Sequence, residues 1–396
     1  MTLTARLRSV ITAAGLLVGL APSATAGIFG DPTTYEQVRR YLGHHAADVA
    51  LVAYTVSPDG SLDPADPSIL HNADIPMPLA STIKIVLLAG YARDVVAGRL
   101  DPDQPVTLGD WERFYLPATD GGAHPAALAE LGIAVDEYGF AQDPTVAVPL
   151  CQLVRAMIAQ SDNAAADWVL ERIGDEGWAA TVAEGGLAAQ EQQLPIIGQF
   201  LAWADHERPI LTPAEITRYS NDRAAFADET KRLTAAFQDP EWRLAELQWR
   251  LEGKDPSTLW SEAKLADTLA PRGTARDFGH MMAGVITGGF ISPTVSSLMR
   301  ETLEWPMAVP GLAEVFEAYG TKGGSFSGVL TEATYAVPKV SDFAGRTRVC
   351  VLFMRRMPML AWLSMSVTGA QQQLEIGLLG SRTYTEKVRR TLPASH

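Results

Sequence analysis

The sequence predicts a mixed α/β (α+β) body. Three observations carry that expectation: an apolar strand pattern near the amino end, a long helical middle, and strand patterns followed by a helix near the carboxyl end. For these to form one sheet, the early strand must return to pair with the late ones.

The elements follow in order. "TYEQVRRYLGHH" (34–45) reads as a helix ending near Gly43, "DVALVAYTV" (48–56) as a buried strand, and "SPDGSL" as the turn after it. Residues 81–100 have the length and apolar density of a central helix, with Ser81 at its amino end. Residues 147–174 predict two helices meeting near Ser161, with Gly174 as terminator of the second. From about 200 to 270 the pattern becomes helical and amphipathic. "LTPAEI" there offers Thr212 as cap, Pro213 in the first turn and Glu215 three after the cap. Asp239 and Pro240 repeat the scheme up to Gly253, with Trp242, Ala245 and Trp249 on one face. A helix with a glycine stop follows over 273–291, then strands within 318–340 and 345–356 and a last helix over 368–380.

At 396 residues the chain is long enough for one large domain or two. Acids exceed bases by 46 to 32, and a net charge of −14 repels phosphate backbones, which argues against nucleic-acid binding. Arg6 and Arg8, the apolar run 10–21 and the small-residue "ATA" (24–26) read as an export signal cut after Ala26. The mature protein, 27–396, is therefore expected to be secreted or periplasmic. Cys151 and Cys350 are expected to stay unbridged, and the seven histidines lack ligand spacing, so neither a metal nor a cofactor is expected. A monomer is the expected state.

Ser81-Thr-Ile-Lys84 places a hydroxyl and an amine on one helical face, where the amine can take the hydroxyl proton if burial keeps it easy to deprotonate. Alone the pattern is weak, since Ser261–Lys264 repeats it without support. The first copy is followed by Ser161-Asp162-Asn163 at a helix junction, and then by Lys322-Gly323-Gly324 on an edge-like strand. In that order the three motifs resemble the penicillin-binding and class A β-lactamase superfamily over roughly residues 30–385.

The resemblance implies a β-lactamase/transpeptidase-like fold, with an antiparallel sheet packed with helices and a helical subdomain; against it, about 200–268 is a helical insertion that would form an added lid, and 121–143 is a further insertion that would border the cleft. It implies Ser81 as nucleophile, Lys84 as its proton acceptor, Ser161 as relay to the leaving group, and Asn163 as holder of the lysine and the substrate amide. Lys322 would supply positive charge. The N–H groups of Ser81 and Ser325 would meet the oxyanion, Gly324 would belong to the same substrate-binding stretch, and Tyr115 resembles the aromatic wall at the cleft entrance.

Two departures bear on substrate. Gly323 lacks the family's hydroxyl, which helps bind a substrate carboxylate, and the omega-loop Glu-x-x-Leu-Asn is missing. Glu191, in Glu-Gln-Gln-Leu-Pro, is the nearest candidate for a deacylation base. The expected function is a serine acyl hydrolase acting on a small-molecule ester or amide. A true class A β-lactamase, a D-alanyl-D-alanine carboxypeptidase and a penicillin-binding sensor that is acylated without turnover are the alternatives.

Overall fold

The computed structural model describes residues 32–393, so the expected export signal lies outside the described residues. The chain forms two compact units and passes between them more than once. One comprises residues 32–82, Glu184–Gln190 and 272–393, and the other Ile83–Ala183 and Glu191–Pro271.

The first unit is built on a five-stranded sheet. Its strands are β1 (Val49–Thr55), β2 (Ile69–His71), β3 (Phe316–Phe326), β4 (Val329–Pro338) and β5 (Arg348–Met354). Their order is β2-β1-β5-β4-β3, and every neighbouring pair is antiparallel. The early strand does return to the late ones: β1 runs from Val49 opposite Met354 to Thr55 opposite Arg348. β1 and β5 are buried along their whole length because both faces of the sheet are covered, which explains their nearly unbroken apolar sequences. On one face Gly279 of the helix Ala275–Thr287 comes so close that a β-carbon there would sit 3.1 Å from Val52. Beside it, Phe278 meets Phe353 edge-on at 5.4 Å. The alternate residues Leu51 and Leu352 enter the other face's core with Leu42, Leu374 and Val388. Each such side chain contributes roughly 1.5–3 kcal/mol on burial. Leu374 lies on the expected last helix, Ala370–Gly380. The helices Met359–Thr368 and Arg382–Thr391 on either side of it were not anticipated.

The second unit is mainly helical. The helix Lys84–Val96 buries ten of its residues, as its apolar density predicts. Leu150–Ala159 and Asn163–Glu184 meet at Ser161 as expected. Gly174 breaks the second helix where its residue type predicts, with the non-helical φ 65°, ψ 177°, and a further helical segment follows at once and runs to Glu184. The insertion contributes helices Pro213–Asn221, Arg223–Gln238, Pro240–Leu251 and Leu259–Leu269. Thr212 and Glu215 form the reciprocal cap that their spacing predicts, and Asp239 accepts the N–H groups of Glu241 and Trp242. Trp242, Ala245 and Trp249 are only half-buried. The fully buried residue of that helix is Glu246, held by Arg250 at 2.6 Å and His206 at 2.9 Å. Ser261 of the second Ser-x-x-Lys completes a capping box with Thr258, which accounts for that copy structurally. Cys151 and Cys350 are both free.

Candidate active site

In the sheet unit, Ser81 is half-buried in the short 3₁₀ turn Ala80–Ile83, entered through Ala80 at φ 45°. Lys84 begins the α-helix that follows directly, so the serine lies within the turn and the lysine starts the helix. The turn is fastened to the sheet by two hydroxyls. Thr331 donates to Leu79 O at 2.7 Å and shares a 2.7 Å bond with Thr82, both fully inside the protein. β3 passes against this turn at Gly324, where a β-carbon would lie 2.5 Å from Ser81 N and 2.8 Å from Thr82 N. Only glycine lets the strand backbone approach so closely. The third motif thus earns its second glycine from packing against the serine's own backbone.

Lys322 is buried on β3 and donates to Gly323 O at 2.6 Å. Ser325, one residue past Gly324, is exposed, and its Oγ accepts from Trp362 Nε1 at 3.0 Å. β3 is an edge strand, so alternate N–H groups along it have no strand beside them. Gly323 faces Glu332 of β4 in register, and a β-carbon at 323 would stand 3.0 Å from both carboxylate oxygens. The missing hydroxyl therefore has a physical counterpart: a buried glutamate fills the space where it would go.

In the helical unit, Lys84 is completely buried. Its Nζ donates to Ser161 O at 2.6 Å and Asn163 Oδ1 at 2.7 Å, and Ser161 Oγ is 3.4 Å away. Ser161 takes a left-handed φ of 69°, unusual for a side chain with a β-carbon, and that conformation turns both its oxygens toward the lysine. Asp162 does the capping instead, accepting Ala165 N–H at 2.9 Å. Burial lowers the Lys84 amine to about 8, against the opposing pull of Asp162, Asp167 and Asp120. A tenth or so of such an amine is neutral at pH 7 and about half at pH 8.

The charges around this lysine were not legible in the motifs. His124 is wholly buried, with Nδ1 2.7 Å from Asp162 and Nε2 3.3 Å from Glu112. Burial alone would lower its pKa, but the Asp162 charge and the bonds to both carboxylates lift it to about 9. The same imidazolium holds Asp162, which burial would raise, below the usual carboxylate range. Asp167 accepts the first N–H groups of the helix Ile196–Trp203, from Ile196 at 2.6 Å and Ile197 at 2.8 Å, and burial raises it to about 7. Asp120 accepts the N–H groups of Gly122 and His124, and burial plus Asp162 raise its pKa. It lines a small cavity with Thr119 and Asn163, walled by Phe114, Ile197 and Phe200.

Tyr115 also lines that cavity, but only 4% of it is exposed. Its ring packs on His124 at 4.2 Å and its hydroxyl donates to Tyr138 O, so it works as an interior wall. Glu191 is 39% exposed at its side chain and paired with Arg223 at 3.2 Å, whereas the carboxylates that act on Lys84 are Asp162, Asp167 and Asp120. The insertion is bolted to this region: Arg243 donates to Glu112 O at 2.8 Å and Gln238 to Arg113 O at 3.1 Å. Among the described residues, no group of three or more His, Cys, Asp or Glu is placed to hold a metal ion.

A family model described as the beta-lactamase enzyme family matches residues 35–354. Among solved structures, a beta-lactamase from Sphaerobacter thermophilus DSM 20745 is 16% identical, covering 86% of this chain and 96% of its own, with a TM-score of 0.49. A beta-lactamase from Chitinophaga pinensis DSM 2588 is 11% identical over 87% and 99%, with a TM-score of 0.49. PBP-A is 15% identical over 89% and 98%, with a TM-score of 0.45. Among curated proteins, none matches.

Proposed function

This chain belongs to the beta-lactamase enzyme family, and we propose that within it the chain is a serine acyl hydrolase that opens a small ester or amide through an acyl-enzyme on Ser81. The observation that carries this reading is the buried Lys84 amine, brought down to about 8 and fixed by Ser161 and Asn163, three residues after a serine in the turn that leads into its helix. In this reading Ser81 Oγ attacks the carbonyl while Lys84 Nζ accepts its proton. Ser161 returns a proton to the leaving group. The Ser81 and Ser325 N–H groups receive the oxyanion, each worth roughly 3–4 kcal/mol in the transition state. Lys322 supplies a positive charge.

Hydrolysis of the acyl-enzyme also needs a base for water. Glu191, engaged with Arg223, is a weak candidate. Asp120 lines the same cavity as Asn163, and burial and the Asp162 charge raise its pKa, the direction that strengthens a carboxylate as a base. An ester or uncarboxylated amide is favoured over a penicillin because Glu332 stands where a carboxylate-binding hydroxyl would be. We also place the mature protein outside the cytoplasm, which amino-terminal sequencing of exported material would check.

A fluorophosphonate or labelled-penicillin probe on wild type and Ser81→Ala tests the reading. Label on Ser81 of the wild type and none on the variant is expected, together with turnover of short p-nitrophenyl esters. Fast opening of nitrocefin with no ester turnover would make the chain a true β-lactamase instead. A stable adduct without turnover would make it a sensor.

A further inference from the structure

Glu332 is a buried carboxylate that the proposed chemistry does not use. It sits on β4 opposite Gly323 and is 4% exposed. Thr321 Oγ1 donates to one of its oxygens at 3.2 Å, and Gln372 of the helix Ala370–Gly380 lies 3.5 Å from the other. Nothing but hydrogen covers its side of the strand at 323, since a β-carbon there would already press on both oxygens at 3.0 Å. Lys322 is the adjacent residue, and its ammonium acts on Glu332. The third motif therefore carries a cation and an anion together, with a bare glycine between the anion and whatever lies along β3.

We propose that Glu332 is a specificity-determining residue that selects neutral acyl substrates and rejects those carrying a carboxylate next to the reacting carbonyl. This rests on the serine-hydrolase reading given above. The physical cause is twofold. The carboxylate offsets the Lys322 charge that would otherwise attract an anion, and it crowds the position at 323 from which a hydroxyl would bind one. A poorly solvated anion repels a second anion more strongly than a solvated one does, so discrimination comes from repulsion as well as from lost attraction.

The groups that face Glu332 set its behaviour with pH. Burial raises it to about 7, with Lys322 opposing. Glu375, from the helix behind it, is raised well above the ordinary carboxylate range by burial and by Glu332 itself, and no cation acts on it as Lys322 acts on Glu332. Tyr319 and Cys350 are likewise raised well above their usual values by burial and stay neutral. Glu332 is thus the group of this cluster that gains charge between pH 6 and 8, and rejection of anions should strengthen across that window.

The test compares kcat/KM for p-nitrophenyl butyrate and for the carboxylate-bearing p-nitrophenyl succinate, in wild type and Glu332→Gln, from pH 6 to 8. Glutamine keeps the shape and can still accept from Thr321. Titration of Lys84 affects both esters alike and cancels in their ratio. In the wild type the neutral-to-anionic ratio should rise with pH. In Glu332→Gln it should fall at least tenfold at pH 8 and lose its pH dependence. A ratio unmoved by the substitution overturns the proposal while leaving the hydrolase reading intact. If Glu332→Gln does not fold, a wild-type ratio that stays flat from pH 6 to 8 overturns it equally. Absence of ester turnover and of Ser81 labelling in the wild type would instead remove the hydrolase reading, and this proposal with it.

Discussion

The sheet unit and the helical unit hold their candidate catalytic groups by different physics. Ser81 is placed by backbone fit: a glycine strand pressed against its N–H and two buried threonine hydroxyls fastening its turn. Lys84 is placed by charge. Three buried carboxylates, Asp162, Asp167 and Glu112, and the half-buried Asp120 surround two cations, Lys84 and His124. Backbone fit is insensitive to pH, whereas a buried charge balance is not. The sheet unit should therefore respond to changes of shape and the helical unit to changes of ionisation.

The largest expected effect falls on the helical side. Lys84→Met removes the proton acceptor, and kcat/KM for a p-nitrophenyl ester should drop on the order of 10²–10⁴-fold. Comparable loss from Ser81→Ala, with a native far-UV spectrum in both, would sharpen the assignment. Retained activity in Lys84→Met would break it.

His124→Phe leaves Asp162 and Glu112 buried without their counter-charge and should cost about 3–5 kcal/mol in urea unfolding at pH 6. The sign with pH is fixed by the raised histidine. Its contribution is fully present below the ordinary value of 6.5 and fades as pH rises through about 9. The gap between wild type and variant should close in that range. A gap independent of pH would mean that the ring is needed for packing rather than charge.

On the sheet side, Gly324→Ala forces a methyl group to within 2.5 Å of Ser81 N. A stability loss of about 1–3 kcal/mol and a fall in turnover of about tenfold or more are expected, both unchanged between pH 6 and 9. Thr331→Val should be the mildest, about 1–2 kcal/mol, because it removes one buried hydrogen bond to Leu79 O and leaves Thr82 without that partner.

The same contrast explains what could be read from the sequence. β1, the central helix and the caps at Thr212 and Asp239 were legible because each is written in local periodicity or in fixed three-residue spacing. The three motifs were legible for a related reason, as their chemistry restricts residue type at adjoining positions. The charge balance was not. His124 meets partners 12 residues before it and 38 after it, and no spacing rule links them. Glu332 looks like an ordinary polar residue in a strand until the register sets it against Gly323. Gly174 was legible, since a glycine with positive φ breaks the helix there, whereas the second helical segment that follows at once to Glu184 was not. The helix Arg382–Thr391 escaped notice because its charged sequence hides a narrow apolar stripe around Val388.

The most direct test is the rate of Ser81 acylation by a fluorophosphonate probe, followed by intact-protein mass spectrometry from pH 6 to 10. Deprotonation of Lys84 should make the rate climb about tenfold per pH unit at first and level off with a midpoint near 8. A rate indifferent to pH, or label that persists on Ser81→Ala, would contradict a lysine-activated serine in this protein.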